Sequence, residues 1–98
     1  MSIPTRGAAL RMILNHYGRK KQELQAVQEL SELILLLAAR SDQRGDDYRS
    51  NIIEEIADVK IMLRQIEIMH DIDNDEIDDM IAFKIRRQLD RIEKEQCT

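Results

Sequence analysis

Two acidic pairs in this chain share one spacing. Glu29 and Glu32 are three residues apart, and so are Glu55 and Asp58. On a helix, side chains at i and i+3 lie on one face, one above the other. Both pairs sit in strongly apolar words, QELSELILLL (28–37) and NIIEEIADVKIML (51–63). Carboxylates gathered there repel one another and resist leaving water. Neither word places a Lys or Arg between the acidic positions on that face. A hard divalent cation is the fitting counter-charge, with Mg²⁺ the first choice and Mn²⁺ a substitute. Mg²⁺ takes oxygen ligands in octahedral geometry and keeps several waters, which leaves positions open to a substrate phosphate. The chemistry implied is phosphoryl or nucleotidyl transfer or hydrolysis. A carboxylate pair on a solvated helix face is the ordinary alternative for either pair alone; two matched pairs beside apolar stripes weigh against it.

The elements that must position these groups read as four helices, at about 5–17, 20–40, 47–70 and 74–95, in a single domain spanning 1–98. Gly18 stands where a helix-ending residue with positive φ belongs. The polar stretch SDQRGDD (41–47) reads as a loop, and DIDND (71–75) as a tight break with Asp73 and Glu76 as a capping pair. Asn51 with Glu54 offers a second capping pair inside the third segment. At 100° per residue, Ile52, Ile56, Val59, Leu63 and Ile66 form the expected core stripe of the third helix. Glu55 and Asp58 fall on its flank, at about 300° and 240° from Ile52. Around Ala26, the residues Val27, Leu30, Leu33, Ile34 and Leu37 form the matching stripe of the second helix, and Glu29 and Glu32 repeat the same two offsets, about 300° and 240°. Met62, Met69 and Met80 read as core fillers. Short loops favour antiparallel neighbours, so the expected fold is an all-α, four-helix antiparallel bundle.

Composition narrows the function classes. The chain has 98 residues, 43% hydrophobic and 35% charged, which suits packed helices more than disorder. A bundle this small often completes its core by oligomerising. Nineteen acidic against fifteen basic residues leave no basic excess to track a phosphate backbone, so a nucleic-acid polymer is not the expected partner. The longest apolar run, Leu33–Ala39, is far short of the about 20 residues a membrane span needs. The opening MSIPTRGAAL has no apolar signal core, and the lone Cys97 cannot form an internal disulfide. These features point to a cytoplasmic protein.

QELSE (28–32), followed after a loop by EEIAD (54–58), resembles the MazG-type all-α nucleoside triphosphate pyrophosphohydrolases, whose signature is E-E-x-x-E, a variable gap, then E-x-x-D. Glu29, Glu32, Glu55 and Asp58 fit that pattern, while Gln28 stands in place of its first Glu. The words NHYGRKKQELQAVQELSEL and NIIEEIADVKIML are similar to small phage- or prophage-like members, and the resemblance covers roughly residues 15 to 95. It implies a MazG-like bundle that binds Mg²⁺ through the four carboxylates. The implied reaction is hydrolysis of a (deoxy)nucleoside triphosphate to the monophosphate and pyrophosphate. Such an activity suits nucleotide-pool house-cleaning. It further implies Glu29 or Glu32 as general base, and assembly with further copies of the chain as a homodimer or a dimer of dimers.

Other residues are candidates for substrate contact. Lys84 is the preferred phosphate ligand, ahead of Lys20, Lys21, Lys60, Arg86 and Arg87. His16 and Tyr17, just before Gly18, could stack on a base. Gln22, nearly two turns before Glu29, could read a base edge or face solvent. The reading from another class is a non-catalytic helical interaction or dimerisation module, which gives no reason to gather four carboxylates.

Overall fold

A computed structural model describes residues 4–39 and 46–97. It contains four helices: α1 (Arg6–Tyr17), α2 (Arg19–Ala38), α3 (Asp46–Met69) and α4 (Asn74–Gln96), with no strand among the described residues. The fold is all-α. The expected end of α2 at Arg40, and residues 41–45 of the expected loop, lie outside the described residues.

Local chemistry sets the ends. Thr5 caps α1 by accepting the Ala8 N–H at 3.2 Å. Gly18 separates α1 from α2 with φ 88°, a backbone conformation that strains any residue carrying a Cβ. α3 begins at Asp46, so Asn51 and Glu54 lie inside the helix and do not cap it. Its C-terminus closes through two overlapping bonds, Ile72 N–H to Glu67 C=O at 2.8 Å and Asp71 N–H to Ile68 C=O at 3.2 Å. That pattern needs a left-handed residue, and Asp71 supplies it with φ 54°. The expected capping pair opens α4: the Asp73 N–H donates to Glu76 Oε2 at 2.8 Å, and Asp73 Oδ1 accepts the Asp75 N–H at 3.0 Å.

The packing is concentrated in α1, α2 and α3. α2 and α3 lie along each other, and α1 rests on both. Arg19 Nη2 comes within 3.5 Å of His70 Nδ1, joining the start of α2 to the end of α3. The buried positions are Leu10, Gln22, Ala26, Val59, Met62 and Gln65. Gln65 is wholly buried and donates its amide to the Leu10 carbonyl at 2.9 Å, across 55 residues of sequence.

The buried seam follows the stripes expected from the helical wheel only in part: Val59 is buried and Leu33, Ile52 and Ile66 are half-buried. On α2 it runs through Gln22, Ala26, Glu29, Leu33 and Leu36, while Val27 and Ile34 are 62% and 65% exposed and Leu30 and Leu37 also face outward. On α3 it runs through Val59, Met62 and Gln65, with Ile56 and Leu63 exposed. In both helices the seam is rotated roughly 80° from the centre of the apolar stripe, toward the acidic flank. The rotation carries Glu29 and Glu55 from the edge of the expected core into the helix–helix contact. Met62 is buried and Met69 half-buried, as expected of core fillers, but Met80 is exposed. It lies on α4, which has no buried residue and no extended packing against the other helices.

Candidate metal centre

Glu29 and Glu32 come from the middle of α2, and Glu55 from the middle of α3. All three are half-buried. One carboxylate oxygen from each lies within 4.8 Å of the others, close enough for a single cation to be shared. Asp58 stands one turn from Glu55 with its side chain exposed, outside this trio but near enough to act on it electrostatically.

Two glutamines hold the acids in place. Gln25 Nε2 donates to Glu29 Oε1 at 2.8 Å, and Gln28 Nε2 donates to Glu32 Oε1 at 3.3 Å. Both bonds span i to i+4 along α2. Gln25 was not singled out by motif, although its spacing from Glu29 is the signal that finds it. Gln28, the departure from the E-E-x-x-E pattern, is occupied with orienting Glu32.

The electrostatics are those of an uncompensated acidic cluster. Desolvation by the packed helices raises the Glu29 carboxyl above its ordinary 4.5; the Gln25 hydrogen bond pulls it partly back, and Glu32, Asp58 and Glu55 push it up further. Desolvation raises Glu55 as well, with Glu32, Asp58 and Glu54 adding to the effect. The Oε2 atoms of Glu29 and Glu55 are buried and find no hydrogen-bond donor among the described residues. Among the described residues no base pairs with these acids; ion pairs join Arg19 with Glu23, Arg64 with Glu67 and Arg86 with Asp90. Buried acceptors without donors are costly, and a cation is the partner that satisfies several at once.

Beside the trio opens a cleft of about 370 Å³, lined by Glu32, Leu35, Leu36, Asn51 and Glu55. Asn51 is the one uncharged polar side chain on its wall. The other candidates are not gathered here. Gln22 is buried, 5% exposed, so its solvent-facing alternative does not hold and it lines no wall of this cleft. His16 and Tyr17 pack edge to face at 4.7 Å, and Lys21 Nζ sits 4.8 Å over the Tyr17 ring. These three are exposed at the α1–α2 corner, near a second cleft lined by Arg11, Leu14, Asn15, Gly18, Arg19, Ile68 and Met69. Lys84 is exposed on α4, and nothing within one chain brings that helix along the trio.

No family model, curated protein or solved structure matches this chain. Among the described residues no helix is long and apolar enough to cross a membrane.

Proposed function

We propose that this chain is a Mg²⁺-dependent nucleoside triphosphate pyrophosphohydrolase of MazG-like type, with Mn²⁺ able to replace Mg²⁺. The observation that carries the reading is the convergence of Glu29, Glu32 and Glu55, two of them with a buried oxygen lacking any donor. The donor set is all oxygen, which suits Mg²⁺ and gives no purchase to softer metals. Leu35 and Leu36 wall the adjoining cleft on one side and Asn51 on the other, so a nucleotide entering it meets apolar surface, one amide and the acidic trio.

In this reading Glu29, Glu32 and Glu55 hold the cation, and Asp58 closes the site from the rim. When bound, the metal neutralises the triphosphate and lowers the pKa of a water for attack on phosphorus. One of the two, Glu29 or Glu32, acts as general base instead of simple ligand and takes the proton of the attacking water. Gln25 and Gln28 keep those two carboxylates from turning away. Lys84, Lys21, His16 and Gln22 remain the proposed substrate contacts. The products are a nucleoside monophosphate and pyrophosphate, and pool house-cleaning is the proposed role. The register that sets Arg19 beside His70, and Leu36 in the same cleft as Asn51, supports an antiparallel α2–α3 pair within a bundle completed by further copies of the chain, as a dimer or a dimer of dimers. The proposed setting is cytoplasmic, with neither a membrane nor a nucleic-acid polymer as partner.

The test is pyrophosphate release from a panel of canonical and modified nucleoside triphosphates, with Mg²⁺ and with EDTA. Release that requires the metal is expected. No release from any of them, with no Mg²⁺-induced rise in melting temperature, overturns the reading. The second reading, a helical interaction module, is favoured by one observation, the bare apolar face of α4.

A further inference from the structure

α4 is a 23-residue helix with no buried residue, and it barely touches the other three. Five of its apolar residues share one face, while Met80 and Phe83 lie off it. Ile77, Ile81, Ile85, Leu89 and Ile92 fall within about 120° of one another around the helix. Four of the five are exposed, Ile85 at 56%. A helix face of this kind is unstable in water unless something covers it.

The size of the bare surface says how much is missing. The chain exposes 8316 Å². A compact monomer of its 11.5 kDa mass exposes about 5,800 Å². The excess, about 2,500 Å², is the scale that one partner contributes to an obligate interface. The radius of gyration, 17.5 Å, likewise exceeds the about 13 Å of a compact chain this long.

The charge pattern names the occupant. From Asn74 to Ala82, α4 carries Asp75, Glu76, Asp78 and Asp79 and no base. From Phe83 to Gln96 it carries five bases, Lys84, Arg86, Arg87, Arg91 and Lys94, against three acids. The helix is thus complementary to itself when reversed and repels itself when parallel. Acidic first turns also disfavour an anionic membrane as the cover.

We infer that α4 is a docking face for α4 of a second copy, packed antiparallel about a two-fold axis near Ile85. Ile81 then faces Leu89 of the second copy, and the acidic half of each helix lies along the basic half of the other. The outward stripes of α2 and α3 supply the rest of the excess area. The inference specifies the assembly that belongs to the proposed function but uses none of its site residues. A dimer without hydrolysis and a hydrolase without this dimer are therefore separate outcomes.

Two measurements test it. Light scattering on the eluting wild-type protein should give about twice or four times the chain mass. Ile85→Asp with Leu89→Asp should at least halve that mass, with α1–α3 still helical by circular dichroism. Orientation is read with the native Cys97 as probe. In the antiparallel pair Cys97 lies at the far end of α4 from its own counterpart and beside position 74 of the second copy. Mild oxidation should leave the wild type uncrosslinked and should crosslink Asn74→Cys into a covalent dimer. A monomeric wild type, an unchanged mass in the double variant, or efficient Cys97–Cys97 crosslinking in the wild type would each overturn the inference. A monomer that binds lipid vesicles or a different protein through α4 overturns it equally.

Discussion

Glu29 on α2 and Glu55 on α3 bring carboxylate oxygens within 4.8 Å of one another, and the Oε2 atom of each is buried with no donor among the described residues. The helices that form the seam also create the electrostatic strain within it. Packing removes water from the two carboxylates, and Glu32 and Asp58 add like charge beside both.

Glu55→Gln should abolish hydrolysis, by about a hundredfold or more in kcat/KM. The same variant should melt higher than the wild type without metal, because the substitution removes one of the mutually repelling charges. Asp58→Asn should lower activity in the same direction. Paired measurements of turnover and metal-free melting temperature check this. A variant with full activity removes Glu55 from the site.

The metal-free protein should become more stable as pH falls. Both carboxyls titrate above 4.5 in the folded chain, so the fold binds more protons than the unfolded chain just above that value. Their contribution is therefore present in full below 4.5 and is lost as pH rises through the raised folded values. Melting curves in EDTA from about pH 7.5 down to about 5 should show a rise that Glu29→Gln with Glu55→Gln flattens. With Mg²⁺ present the trend should weaken or reverse, since ligation needs the ionised carboxylates. An EDTA profile that falls with acid in the wild type contradicts the assignment.

Gln28→Glu exchanges a donor to Glu32 for a fifth carboxylate four residues away. Like charges at that spacing destabilise a helix by about 0.2–0.5 kcal/mol. The variant should melt slightly lower than wild type in EDTA and should gain more from Mg²⁺. Equal Mg²⁺-induced shifts in the two proteins would show that the residue at 28 has no bearing on the metal.

Asp71 holds a left-handed conformation at the end of α3. Asp71→Gly should relieve it and stabilise the fold by about 0.5–1 kcal/mol, a few degrees in melting temperature. Asp71→Val should destabilise, because a β-branched side chain fits that conformation worst. Thermal melts of both variants decide the point, and equal melting temperatures would mean the turn carries no strain.

The helix boundaries were legible because their punctuation is local. Gly18 and the Asp73–Glu76 pair act through backbone atoms a few residues away, and a sequence shows such neighbours directly. The start of α3, expected at about 47, falls at Asp46, and the Asn51–Glu54 pair, although it has capping spacing, lies inside the helix. The faces were harder still. A helical wheel ranks residues by polarity and says nothing of which neighbour covers them. α2 has apolar residues over more of its girth than one neighbour can bury, so Val27 and Ile34 face outward while Gln22 and Glu29 enter the seam. The acidic pairs were visible from their matched offsets. Their drawing together into a trio, with Asp58 left at the rim, depends on the rotation of both helices, which no single-helix pattern encodes. Met80 and Lys84 shared a different difficulty: their surroundings depend on where α4 packs, and in one chain it barely packs at all.

The hydrogen bond from Gln65 to Leu10 also has a consequence in time. Leu10 is the one buried residue of α1, and its anchoring side chain is made 55 residues later. At about 5–20 residues per second, the first helix waits roughly 3–11 s on the ribosome before the residue that fastens it exists. α1 is therefore synthesised first and secured last.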